Sequence, residues 1–124
     1  MSHKEIAQSI LRFGFVFVFI WFGVTQLVSP ASWANLVPTW IPSMLSVSTQ
    51  TIVYANGVFE IVCALALVFE FFTPIVAFLL GLHLFGIVMS VGLGAIGVRD
   101  IGLALSLLAL GFLSWNKQEV THGN

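Results

Sequence analysis

Charged side chains are scarce: Lys, Arg, Asp and Glu make up 7% of the 124 residues, against about 25% in a soluble domain. That deficit excludes an ordinary water-soluble globule, a disordered chain and a nucleic-acid binder. Four basic residues against five acidic ones leave no polybasic patch for phosphates or anionic lipid. Cysteine occurs once, as Cys63, which excludes an intrachain disulfide, a Cys-x-x-Cys redox pair and thiolate metal chemistry. Two of the three histidines, His3 and His122, belong to the tails, so a haem held between two intramembrane histidines is excluded. No intrinsic metal or cofactor is expected, and any redox role must draw on other groups.

What is abundant is apolar surface, 59% of the residues, with a mean hydropathy of +1.07. The lipid bilayer is the solvent such a chain requires. At about 20 residues per crossing, four helices account for roughly 80 residues and a fifth does not fit. The apolar runs place spans at about 6–28, 51–69, 74–91 and 100–115. Lys4 and Arg12 precede the Phe-rich run from Phe13 to Val24 of the first span much as in a signal peptide. The length of that span exceeds an h-region of about 7–15 residues, so it is expected to persist as the first helix. Residues 29–50 hold no charge but contain Pro30, Pro38, Pro42, Trp33 and Trp40. Proline breaks helices and tryptophan favours the headgroup level, so this segment should lie in the interface and cap one end of the bundle.

Thr73-Pro74 reads as an N-cap followed by a first-turn proline. The short link from Glu70 to Thr73 predicts a tight antiparallel hairpin of the second and third spans. Gly92, Gly94 and Gly97 form the next turn, and the polar stretch Asn116 to Asn124 is expected to fray. The expected fold is all-α, an integral membrane four-helix antiparallel bundle forming a single transmembrane domain over residues 1–124. Four spans put both termini on one side, with Lys4, Arg12 and Lys117 against Arg99 opposite. The positive-inside rule then makes the termini cytoplasmic, with Trp115 beside Lys117 as an inner-interface anchor.

Ionisable groups at bilayer depth cost about 2.5–3.5 kcal/mol each on insertion scales, so they should face protein or water. Helical spacing puts Asn56, Glu60 and Cys63 on one stripe, with Gly57 and Ala64 beside it. Glu60 is a candidate proton-accepting or ligand-orienting carboxylate; the plainer alternative is a hydrogen bond that holds helices together. His83 lies level with it, on a stripe with Gly86, Ser90 and Gly94 whose small residues would allow close helix approach. A Glu60–His83 pair could exchange a proton, as a quinol head group requires, while a neutral imidazole bonding between helices is the simpler reading. Arg12 and Gln26 share a face of the first helix with Phe19 and Gly23. Arg12 would snorkel to the headgroups, toward Glu70, and Gln26 would sit beneath the cap. Asp100 would cap the last helix while Arg99 pairs with it or with Glu60. An outward-facing pocket of Gln26, Arg99 and Asp100, above Glu60 and His83, would house an anion or a quinone head group. The Phe-rich runs Phe13 to Phe22 and Phe69 to Phe72 read as packing and lipid contact.

Three stretches carry a resemblance: RFGFVFVFIWFGVTQLVSPASWANLVPTWIP, GVFEIVCALALVF and VRDIGLALSLLAL. With an early Arg, a Trp-Phe-Gly before the Pro/Trp segment, a mid-helix Glu and an Arg-Asp pair in that order, the chain resembles the DoxX family of small four-helix bacterial and archaeal membrane proteins, from about Arg12 to Leu110. The resemblance implies a four-helix membrane protein of the prokaryotic cytoplasmic membrane. It points to Arg12, Glu60, Arg99 and Asp100 as the matching polar positions. Relatives include the small membrane subunit of a thiosulfate:quinone oxidoreductase and a component of a mycobacterial membrane oxidoreductase complex that handles thiols and oxidative stress. Many relatives have a lysine where Gln26 stands, a departure that weakens any implied thiosulfate chemistry.

The leading expectation is a membrane subunit of a redox complex, with Glu60 and His83 as candidate catalytic groups and Gln26, Arg99, Asp100, Arg12 and Asn56 as candidate ligand contacts. A quinone is the candidate ligand and a protein partner would supply electrons. One alternative is a non-catalytic anchor or assembly subunit that recruits a partner through Trp33 and Trp40. Another is a small-solute transporter with Glu60 lining a water path, which four helices could form only as a homo-oligomer.

Overall fold

A computed structural model describes the chain over residues 1–122, and its side chains over residues 1–115. Six helices follow one another: α1 (His3–Val28), α2 (Pro30–Ala34), α3 (Trp40–Leu45), α4 (Thr49–Val68), α5 (Thr73–Val91) and α6 (Ala95–His122). Four of them, α1, α4, α5 and α6 as far as Trp115, are long and apolar enough to cross a bilayer. The chain is a multi-pass membrane protein, and lipid is its solvent. α1 opens on an N-cap, Ser2 Oγ accepting from the Glu5 N–H at 3.1 Å. Ser48 caps α4 in the same way through the Thr51 N–H at 3.2 Å.

The Pro/Trp-rich stretch, residues 29–50, resolves into α2 and α3, two short helices between α1 and α4. Pro30 starts α2, where a missing N–H costs nothing. Ser46, in the left-handed region at φ 56°, ends α3.

Two boundaries correct the sequence reading. α6 begins at Ala95 rather than near residue 100, so Asp100 lies in its second turn and cannot cap it. Gly97 belongs to this helix and not to the turn before it; a side chain there would strike the Gly92 carbonyl. The turn is made instead by Gly92, at φ 90°, a conformation open to glycine. The residue capping α5 is Phe72, at φ 54°, and Thr73 is already helical with Pro74 in the first turn. α6 also continues past Trp115 to His122. Side chains from Asn116 onward, including Lys117 beside the expected anchor Trp115, fall outside those described.

Packing is most extensive within two pairs, α1 with α4 and α5 with α6; α4–α5 and α1–α6 contacts are thinner. The expected tight α4–α5 hairpin therefore has its short link but not close packing. Apolar side chains gain nothing by leaving lipid, so close approach of small residues decides which helices pair. Gly23 and Gly57 do this for α1 and α4: a Cβ on Gly23 would lie 2.8 Å from the Gly57 carbonyl oxygen, and one on Gly57 would lie 3.0 Å from that of Gly23. Gly81 does it for α5 and α6, where a Cβ would meet the Ala104 carbonyl at 3.4 Å. Gly86, on the stripe expected to bring helices together, has nothing within 4 Å of such a Cβ. Around these contacts a core of Phe15, Phe19, Ala64, Leu67, Leu80, Leu84, Leu107 and Leu110 joins all four spans.

Arg12 closes the end of the bundle that carries the N-terminus. Its Nη1 donates to the carbonyls of Leu67 at 2.9 Å and Val68 at 3.1 Å, and its Nη2 lies 3.3 Å from Glu70 Oε1. The last carbonyls of a helix carry partial negative charge and have no helical partner, which is why a cation settles there. Glu70 sits at φ 53° just past the cap, where the Phe71 N–H reaches back to the Ala66 carbonyl at 2.8 Å and its own N–H to Leu67 at 3.3 Å. This is a Schellman ending in which Glu70 stands where glycine is usual. The side chain of Arg12 is only 13% exposed, packed against the end of α4. Arg12→Ala is expected to cost about 1.5–3 kcal/mol, the worth of hydrogen bonds from a charged donor. Arg12→Lys should recover part of it, because ammonium supplies charge without the fork. Thermal unfolding in mild detergent reads this, and an unchanged midpoint for Arg12→Ala would refute the capping role.

Candidate functional site

At the end opposite Arg12, beneath α2 and α3, lies a cavity of about 360 Å³. All four spans contribute to it: Phe19, Phe22 and Gln26 from α1, Asn56 and Glu60 from α4, His83, Gly86 and Ser90 from α5, and Ile96, Arg99 and Asp100 from α6. Trp33, Leu36, Val37, Pro38 and Ile41 of the cap complete the wall. Its volume is in the range of small-ligand sites, about 300–1,000 Å³, and its mostly apolar wall with a few convergent polar groups is the usual composition of such sites.

The polar groups follow from the helix pairing. Because Gly23 and Gly57 let α1 and α4 approach closely, Gln26, one turn beyond Gly23, and Asn56, next to Gly57, come within reach of Glu60. Gln26 Nε2 donates to Glu60 Oε2 at 3.3 Å, and Asn56 Nδ2 donates to Glu60 Oε1 at 2.8 Å. Asn56 Nδ2 also donates to Gln26 Oε1 at 2.7 Å, and Gln26 Nε2 to the Phe22 carbonyl at 3.1 Å. Gln26 and Glu60 are each 3% exposed. A buried carboxylate is costly unless several donors face it, and two amides supply them here.

His83 does come beside Glu60, as its depth suggested, within ion-pair distance but without a hydrogen bond. Its Nε2 lies 3.8 Å from Glu60 Oε1, beyond hydrogen-bond range of about 3.2 Å. That nitrogen is buried and has no hydrogen-bond partner. The Phe59 ring, with its centroid 4.7 Å from that of the imidazole, packs beside it. Arg99 turns to Asp100 rather than to Glu60, its Nε and Nη2 donating to Asp100 Oδ1 at 3.3 and 3.2 Å. Asp100 is 4% exposed and, not being a cap, takes this ion pair as its compensation. The Arg99 guanidinium also lies over the Phe22 ring, 4.9 Å from its centroid, a cation–π contact.

The cavity thus gathers Gln26, Asn56, Glu60, His83, Arg99 and Asp100, and leaves out Arg12, which serves the other end. The two cap tryptophans part company. Trp33 lines the cavity and meets Phe22 edge to face at 5.5 Å, whereas Trp40 is 54% exposed. Phe22 is the residue sequence reasoning passed over, hidden in a run read as lipid contact; its position four before Gln26, on one helix face, is the signal that finds it. Among the described residues, no three His, Cys, Asp or Glu side chains gather in a metal-binding arrangement.

No curated protein and no solved structure matches the chain. The DoxX family model matches residues 7–93, a stretch that includes Gln26, Asn56, Glu60 and His83 and ends before Arg99 and Asp100. With most of its length matched and four apolar helices packed antiparallel, the chain belongs to the DoxX family.

Proposed function

We propose that this protein is the membrane subunit of a redox complex and docks the head group of a quinone in the cavity beneath α2 and α3. The observation that carries the reading is a buried, donor-supported carboxylate, Glu60, facing the same mostly apolar cavity as the unpartnered His83 nitrogen. A quinone head group needs that combination of apolar walls and groups able to hold a proton at its oxygens. Interconversion of quinone and quinol moves two electrons and two protons. Glu60 and His83 serve the protons, and a partner oxidoreductase supplies or takes the electrons. Lys4 and Arg12 at the end carrying the N-terminus, against Arg99 at the cavity end, support cytoplasmic termini and a cavity toward the outer leaflet of a prokaryotic cytoplasmic membrane.

The test is native mass spectrometry of the protein extracted from its own membrane in mild detergent, with bound small molecules and companion chains identified. A retained quinone and an oxidoreductase partner are expected. Glu60→Leu and Arg99→Ala should each reduce retention about tenfold, the equivalent of one hydrogen bond to or from a charged group. If both variants express normally and retain as much quinone as the unaltered chain, or if only bulk lipid accompanies it, the reading is abandoned.

A further inference from the structure

The hydrogens of the cavity's amides can be assigned one by one. Glu60, as a carboxylate, can only accept, so both amides must turn their nitrogens toward it. Gln26 Nε2 has two hydrogens, and they go to Phe22 and Glu60. Asn56 Nδ2 has two, and they go to Gln26 and Glu60. Ser90 spends its hydroxyl hydrogen on the Gly86 carbonyl at 3.0 Å. These side chains therefore have no donor left for a ligand. A carboxylate has about four lone-pair sites, of which the amides fill two. The buried Nε2 of His83 is unmatched as well, and in either imidazole tautomer the open sites on Glu60 remain acceptors. The uncommitted hydrogens of the charged groups belong to Arg99, five residues into α6.

Resting on the quinone-docking reading, we infer that the site selects a head group that donates hydrogen bonds, the hydroquinone form, over the quinone, whose carbonyl oxygens can only accept. A hydroquinone hydroxyl satisfies Glu60 or His83 as a donor and can still accept from Arg99. A quinone carbonyl can also accept from Arg99, but at Glu60 it brings its lone pairs against those of the carboxylate, a mismatch of buried acceptors that the hydroquinone avoids. Tighter hold on the reduced form raises the two-electron potential of the bound couple, by about 30 mV for each tenfold.

The experiment uses the full chain in nanodiscs and measures how a short-chain hydroquinone, kept reduced under nitrogen, its quinone and its dimethyl ether distribute between protein-loaded and empty discs. The hydroquinone is expected to bind about tenfold or more tighter than the quinone, and the dimethyl ether, which lacks any donor, no better than to empty discs. Glu60→Gln places an amide hydrogen in the cavity and should shrink the preference to less than about twofold. Quinone binding equal to or tighter than hydroquinone binding in the unaltered chain would overturn the selectivity while leaving quinone docking intact. Binding of neither form above empty discs would overturn both. The comparison of the three compounds on the unaltered chain does not depend on any variant folding.

Discussion

Gly57→Leu is expected to leave little folded protein after extraction, whereas Gly86→Leu should be recovered at nearly the normal level. The two glycines lie in neighbouring spans of similar hydropathy, and hydrophobicity alone would treat them alike. A Cβ at Gly57 would lie 3.0 Å from the Gly23 carbonyl oxygen and 3.1 Å from Gln26 Cβ, and the backbone carbonyl cannot give way without parting α1 from α4. Overpacking of this kind costs about 1–3 kcal/mol where the surroundings can adjust. The cost here is greater, because parting the helices also takes Gln26 away from Glu60. At Gly86 nothing stands within 4 Å of the added atom. Size-exclusion recovery and thermal unfolding in detergent compare the pair, and equal midpoints for both variants would refute the account of how α1 and α4 associate.

The second large effect concerns Glu60. Replacing Gln26 and Asn56 together by leucine should destabilise the bundle by about 3–6 kcal/mol, two hydrogen bonds to a charged acceptor at about 1.5–3 kcal/mol each. The physical cause is the carboxylate left buried without donors, not the lost amides themselves. Adding Glu60→Leu to the double variant removes that cause and should restore most of the stability. Chemical unfolding of the three proteins in one detergent measures this. A triple variant as unstable as the double would show that the amides, and not the carboxylate, are what the bundle needs.

The four spans were legible because a chain with so few charges has one solvent available, and continuous apolar runs of bilayer length can do little else in it. The stripe of Asn56, Gly57, Glu60, Cys63 and Ala64 was legible from helical spacing, and all of it but Asn56 is fully buried. Which helix that stripe faces was not. Depth along the membrane brings His83 to within 3.8 Å of Glu60, but the hydrogen bonds go where the backbones approach most closely, and the Gly23–Gly57 contact brings Gln26 of α1 to Glu60. Asp100 was misread for a related reason. Three glycines in six residues suggest a long turn, yet Gly97 is needed inside the helix, where its missing side chain makes room for the Gly92 carbonyl. The reach of Arg12 toward Glu70 was legible, but its hydrogen bonds to the end of α4 were not. Spacing along α1 cannot show that the end of α4 stops beside it with the Leu67 and Val68 carbonyls within reach.

The pairing of the helices has a consequence for how this protein holds together. Gln26, Asn56 and Glu60 stand on the α1–α4 leaf, and His83, Arg99 and Asp100 stand on the α5–α6 leaf. Between the leaves the backbone contacts are thin, so a molecule bridging both sets of groups is a rivet across the seam. Its binding energy adds directly to the cohesion of the two leaves, about 2.7 kcal/mol at a hundredfold excess over its dissociation constant. The mechanical tightness of the bundle then becomes a running record of how much of that molecule the surrounding lipid contains.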